Sequence, residues 1–310
     1  MANLQLSNIS PEKFSPLPAS QKKTDEIVRP TVTYWQDAWR RLKENKMAML
    51  GLYTIIFIIL LAVFGPIFSK YSYSDQLLDK QGLLPNREFW FGTDTLGRDM
   101  FVRVLYGARI SLAVGFVASF INLTLGVLYG GISGLLGGRV DNIMMRIVDI
   151  FYSVPLVLYV ILLMVVVGAG LKSIFIALGA VYWLEMARIV RAQVLSLKEQ
   201  EFILAARTLG ANNLRILLRH LIPNCMGPII ITVTNSIPRA IFTEAFLSFI
   251  GLGVSAPAAS WGMLASDAVP GIRSYPHVLF FPALAISITM LAFNFLGDGL
   301  RDALDPRLRK

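Results

Sequence analysis

Side chains able to do covalent or metal chemistry are few and far apart in this 310-residue chain. One cysteine, Cys225, excludes an internal disulfide and a multi-cysteine metal cage, and His220 and His277 are the only histidines. No spacing of ligands suggests a zinc site, and no nucleophile is paired with a base. A phosphate-cradling loop would end in Gly-Lys-Ser/Thr, which occurs nowhere, and Gly168-Ala169-Gly170 lacks the third glycine of a dinucleotide fingerprint. We therefore expect no catalytic residue, metal site or cofactor in this chain. What remains is the chemistry of recognition. Asn235, Arg239 and Glu244 interrupt one apolar run, and residues 205–223 read AARTLGANNLRILLRHLIP, with Arg207, Arg215, Arg219 and His220 and no acid between Phe202 and Pro223.

The elements that must position these groups are membrane spans. The composition is 55% hydrophobic and only 16% charged, with a mean hydropathy of +0.59. Uncharged runs cover Met47–Phe68, Ile110–Leu136, Ile150–Leu171 and Val278–Gly297. Crossing the hydrocarbon core takes about 20 apolar residues, so all four pass on length. A fifth span is expected over about Asn224–Phe249. A sixth starts with the short run Ser173–Leu184 and continues as a tilted helix to Leu197, although that run also fits a buried core helix. Pro155 predicts a kink where a helix begun at Asn142–Asp149 runs into span three. Before the first span, Met1–Thr33 is polar and carries Pro11, Pro16, Pro18 and Pro30, which predicts a flexible tail and no cleavable signal peptide. Tyr34–Lys46 spaces Trp35, Trp39 and Leu42 on one face and reads as an interfacial helix on a lipid bilayer or as a plain juxtamembrane flank.

Gly126, Gly130, Gly134 and Gly138 repeat every four residues, a pattern that lets a neighbouring helix approach closely. Six spans put both termini on one side. Of 29 Lys and Arg residues, 20 fall on that side and 8 on the other, with Arg239 inside span five. The bias predicts cytoplasmic termini in the plasma membrane and assigns the excess of +9 to topology rather than to nucleic acid. Several of the basic residues on the sparser side, Arg98, Arg103 and Arg109, fit a helix leading into span two.

Residues 199–223 thus lie between two spans on the cytoplasmic face. Glu199–Thr208 and Asn213–His220 have helical composition, and Gly210 can adopt the positive φ that redirects the chain between them. Pro223 marks the start of span five. Leu214, Leu217, Leu218 and Leu221 predict an apolar stripe on the second helix, with Arg215 and Arg219 opposite. The segment is shaped for a protein partner. Within span five, Arg239 fits either a carboxylate from outside the chain or a pair with Glu244, and Asn122 and Asn235 fit a polar path or interhelical hydrogen bonds. Asp94 and Asp99 fit contact with an external protein or local turn and cap roles, and Trp261 fits an interfacial anchor.

Ala205-Ala206, then Gly210, then His220-Leu221-Ile222-Pro223 resembles the coupling loop of ABC-importer permeases. Trp90–Leu112 (WFGTDTLGRDMFVRVLYGARISL) is similar to a signature of the dipeptide, oligopeptide and nickel branch. Glu244–Gly262 and Gly297–Arg307 resemble its later signatures, and residues 34–70 resemble the added N-terminal module of C-type peptide permeases. The resemblance implies an all-α polytopic fold with six transmembrane helices, of the type I importer class. It divides the chain into a tail (1–33), the N-terminal module (34–70), an extracytoplasmic loop (71–106), the transmembrane domain (107–300) and a short tail (301–310). It also implies a second permease subunit, two cytoplasmic ATPases holding ATP and Mg, an extracytoplasmic peptide-binding protein and a peptide substrate. Glu201, Ala205, Ala206, Arg207, Gly210, Arg215 and Pro223 fall on the coupling loop. Leu204 stands where the family carries a glutamate, with Glu201 one turn earlier. The competing readings are an ion-coupled secondary transporter, a passive scaffold, or the same class carrying dipeptides, nickel or glutathione.

Overall fold

The computed structural model describes residues 33–253 and 258–305. The expected tail before Thr33, residues 254–257 of the later signature and the last five residues lie outside them. Among the described residues every regular element is helical, apart from one isolated bridge between Thr93 and Asp99.

Helix α1 (Tyr34–Glu44) opens with a capping box: Gln36 N donates to Thr33 Oγ1, and Thr33 N donates back to the Gln36 side chain. Asn45 ends it and caps α2 (Lys46–Phe64), accepting from the amides of Met47 and Ala48 at 3.1 Å each. Asp99 then caps α3 (Met100–Ile121), which passes through a π turn at Asn122–Gly126 into α4 (Val127–Leu136) as one 37-residue run. Span two therefore begins ten residues before its uncharged stretch. Arg103 and Arg109 ride on that helix, and Arg109 donates to the carbonyls of Ala62 and Val63, which the end of α2 leaves open.

Helices α5 (Gly138–Ser153) and α6 (Leu156–Val167) meet at 81°. The expected kink at Pro155 is a break, because proline removes the amide that would continue the ladder. Helices α7 (Leu171–Val181) and α8 (Trp183–Leu197) form one 27-residue run, as the tilted-helix reading expects. Beyond it come α9 (Glu201–Thr208), α10 (Asn213–Ile216), a second π turn at Leu217–Leu221, α11 (Ile222–Asn224) and α12 (Met226–Phe249). The chain bends by 68° between α11 and α12, so Pro223 closes the connecting segment rather than opening the span. Helix α13 (Trp261–Ala268) and α14 (Pro276–Leu304) complete the chain. Among the described residues four runs are long and apolar enough to cross a membrane, and the number reaches six where each bent pair counts as one span.

Small residues set the crossings. A Cβ on Gly126, Gly130 or Gly134 would come within 2.2–2.9 Å of α8 atoms, so these three let α4 lie directly on that helix. Gly138 does not join them. The chain turns at Gly137 with φ +64°, and a Cβ on Gly138 would meet nothing within 4 Å. Gly51 likewise seats α2 against the Ala292 carbonyl of α14. Trp261 is buried, not interfacial, and its indole N–H donates to the Val104 carbonyl at 2.9 Å.

Candidate functional site

Two features stand out as functional: the connecting segment and a charged pair between the spans that it joins. In the segment, Gly210 takes φ +85°, which separates α9 from α10 as glycine allows. Asn212 caps the second helix through the Arg215 amide at 2.8 Å. Ile203, Ile216, Leu217, Leu221 and Cys225 are buried against Val127 and Leu135 of α4 and Met186, Val190 and Val194 of α8. The segment is therefore seated on the bundle, not suspended from it. Its other side is open: Glu201, Ala205, Arg207, Gly210, Arg215 and Pro223 are exposed, and Ala206 is partly so. Leu204, Leu214 and Leu218 are exposed as well, and Leu209 is 88% exposed. The expected apolar stripe is thus split: Leu217 and Leu221 face inward beside Ile216, and Leu214 and Leu218 face outward.

Arg239 pairs with Glu185 of α8, not with Glu244. Both members stand near the middle of their spans, Leu171–Leu197 and Met226–Phe249, on the order of 20 Å from the connecting segment at 1.5 Å per residue. Their side chains are 49% and 59% exposed. Left in hydrocarbon, each charge would cost about 2.5–3.5 kcal/mol on insertion scales. Asn235, one turn toward the segment, is also exposed. Glu244 faces the opposite way and is fully buried, accepting from Ser111 Oγ at 3.0 Å and Ser248 Oγ at 2.7 Å. That position removes it from the candidate pathway and makes it a polar tie between α3 and α12.

At the far end of the bundle, Asp94 organises a buried knot. Its carboxylate accepts from Arg98 Nε at 2.6 Å, Arg103 Nη1 at 3.0 Å and the amides of Leu96 and Arg98 at 2.9 Å. Asp99 serves as a helix cap, and burial raises its carboxyl above the usual range against two backbone amides. Both aspartates therefore have the local roles. Burial also lifts Asp267 beside this knot, opposed by Arg98. Asn122 is buried with its carbonyl oxygen unpartnered among the described residues, in neither role expected of it.

The whole arrangement matches a known type of transporter. Residues 107–310 fit the model of the binding-protein-dependent transport system inner membrane component, and residues 33–85 fit the N-terminal TM domain of oligopeptide transport permease C. The chain belongs to this family. Among curated relatives, the oligopeptide transport system permease protein OppC of Bacillus subtilis (strain 168) is 53% identical, covering 98% of this chain and 100% of its own. The dipeptide transport system permease protein DppC of the same organism is 54% identical, over 93% and 91%. The OppC of Escherichia coli (strain K12) is 45% identical, over 89% and 92%. The inward-facing MetNI methionine ABC transporter gives a TM-score of 0.54 at 23% identity, covering 66% of this chain and 98% of that one, a likeness of fold. The expected all-α importer permease fold is thus borne out, and the chain is a multi-pass membrane transport subunit.

Proposed function

We propose that this permease moves oligopeptides across the cytoplasmic membrane by alternating access, driven by two separate ATPase subunits that grip residues 199–223. The observation that carries the reading is the two-sided segment itself. Ile203, Ile216, Leu217 and Leu221 lock it to α4 and α8, while Leu204, Leu209, Leu214 and Leu218, among Arg207, Arg215 and Arg219, remain uncovered. Exposed leucines on a polar connection mark a surface completed by another protein. A rigid seat then passes any displacement of that surface directly to the spans.

The relatives' names support peptide as the substrate. A second permease subunit would complete the pathway, an extracytoplasmic binding protein would deliver the peptide, and ATP and Mg would sit on the ATPases. Both termini and residues 199–223 lie in the cytoplasm by the basic bias, and residues 71–106 lie outside. Ala205 and Ala206 allow close approach of the ATPase, and Glu201 supplies the acid nearest the position held by Leu204.

The test uses the complete complex in proteoliposomes. A cysteine replacing Leu209 should crosslink to the ATPase. Gly210→Pro should abolish peptide-stimulated ATP hydrolysis, because proline fixes φ near −65° where the turn needs +85°. Unchanged coupling in that variant would refute the reading.

A further inference from the structure

The exposed Glu185–Arg239 pair has no role in holding the connecting segment, and it stands where exposure to lipid is unfavourable for both members. Its surroundings identify a face. Along α12, Asn235, Arg239, Phe242, Phe246 and Phe249 are all exposed and recur at spacings of three and four, so they line one continuous stripe. On α8 the exposed positions on the same face as Glu185, two and three turns nearer the connecting segment, are the small residues Ala192 and Ser196. One hydrogen bond ties the two spans together next to it, and a second anchors that bond within α12. Tyr182 donates to Thr243 Oγ1 at 2.8 Å, and Thr243 donates to the carbonyl of Arg239 at 2.8 Å. A stripe with mid-span charges on one side and aromatic rings on the other suits a wet passage better than a lipid surface.

The chemistry of the pair selects a ligand. A guanidinium offers a planar fork to a carboxylate, and a carboxylate accepts from an ammonium. Side by side and accessible, they match the two ends of a zwitterion. Resting on the reading of this chain as a peptide permease, we propose that Glu185 and Arg239 form a peptide-terminus site halfway along the passage. The peptide's α-carboxylate replaces Glu185 on Arg239, or its α-ammonium replaces Arg239 on Glu185. The pair closes again behind the substrate, so the empty passage carries no unpaired charge at its midpoint. Because termini are common to all peptides, such a site handles them without reading their sequence, and the phenylalanine stripe accepts varied apolar side chains.

The complete complex in proteoliposomes tests this, with Cys225→Ala or Cys225→Ser removing this chain's one native thiol and labelling read on this chain. Asn235→Cys in that background should react with a charged, membrane-impermeant methanethiosulfonate. Trialanine supplied during ATP turnover should slow that reaction by roughly tenfold, and adding Arg239→Gln should leave labelling intact but abolish the protection. A thiol that never reacts would place the face against lipid or the second permease and overturn the site. Labelling without protection, or a changed labelling rate in Arg239→Gln before peptide is added, would reduce the pair to a structural brace. If the unsubstituted complex hydrolyses ATP but takes up no trialanine, the peptide-permease reading fails instead.

Discussion

Replacing Gly130 by alanine puts a methyl carbon 2.2 Å from the Ala187 carbonyl oxygen and 2.9 Å from the Ala187 Cα. The obstacle is backbone, so no side chain can rotate away. Restoring ordinary contact requires α4 and α8 to part by about 1.2 Å in an interior packed as densely as a crystal. Overpacking of this kind costs about 1–3 kcal/mol, and a backbone clash belongs at or above the top of that range. Alanine returns about 1 kcal/mol in helix propensity, which leaves a net loss of about 2 kcal/mol. Gly227→Ala is the matched control, because its Cβ would meet only the Tyr34 hydroxyl at 3.8 Å and should be neutral or slightly stabilising. Cys225 is buried, so a thiol-reactive dye reports unfolding of the detergent-solubilised protein directly. Gly130→Ala should melt several degrees below the unsubstituted chain, with Gly227→Ala at or above it. Equal melting of the two variants would refute the claim that glycines 126, 130 and 134 set this crossing.

Other expectations follow from the knot at the far end. Asp94→Asn leaves Arg98 and Arg103 with only the more distant Asp267, at 3.9 and 3.6 Å, and removing the close buried anion costs up to about 3 kcal/mol, the lower end for breaking a buried pair. The same dye assay should show a large loss of stability or of recovered protein. Burial, against the pull of Arg98, makes Asp267 bind its proton more tightly in the folded chain than in the unfolded one. Its contribution therefore falls as pH rises through the raised folded-state value and grows on acidification toward the ordinary 3.8. Asp267→Asn should flatten that part of a melting profile taken between about pH 4 and pH 7.

Run length and composition were enough to find four spans, because a bilayer imposes one thickness on every helix, whereas the expected spans at Ile150–Leu171 and Asn224–Phe249 pass only within bent pairs. Gly210 was legible for a similar reason, since few residues other than glycine can turn a chain at φ +85°. Three features were not legible. Counting by fours carried Gly138 across a turn that already begins at Gly137. The inward face of the second helix runs through Ile216, Leu217 and Leu221, so a stripe drawn through its leucines assigns Leu214 and Leu218 to the wrong face. Of the two readings open for Arg239, the pair with Glu244 rests on spacing along one helix, which is all that a sequence displays, whereas its partner is 54 residues away on another helix. One signal was present: opposite charges near the middles of two apolar spans have reason to find each other.

Helix α2 fits its Gly51 and Ala48 against α14, and the Tyr34 hydroxyl reaches the Leu304 carbonyl 270 residues later. During synthesis the first span therefore enters the bilayer long before the surface that it is cut to fit has been made. Until the last helix emerges, that glycine-notched face must be covered by lipid or by an assembly factor, and the chain is closed into a ring only when its end arrives.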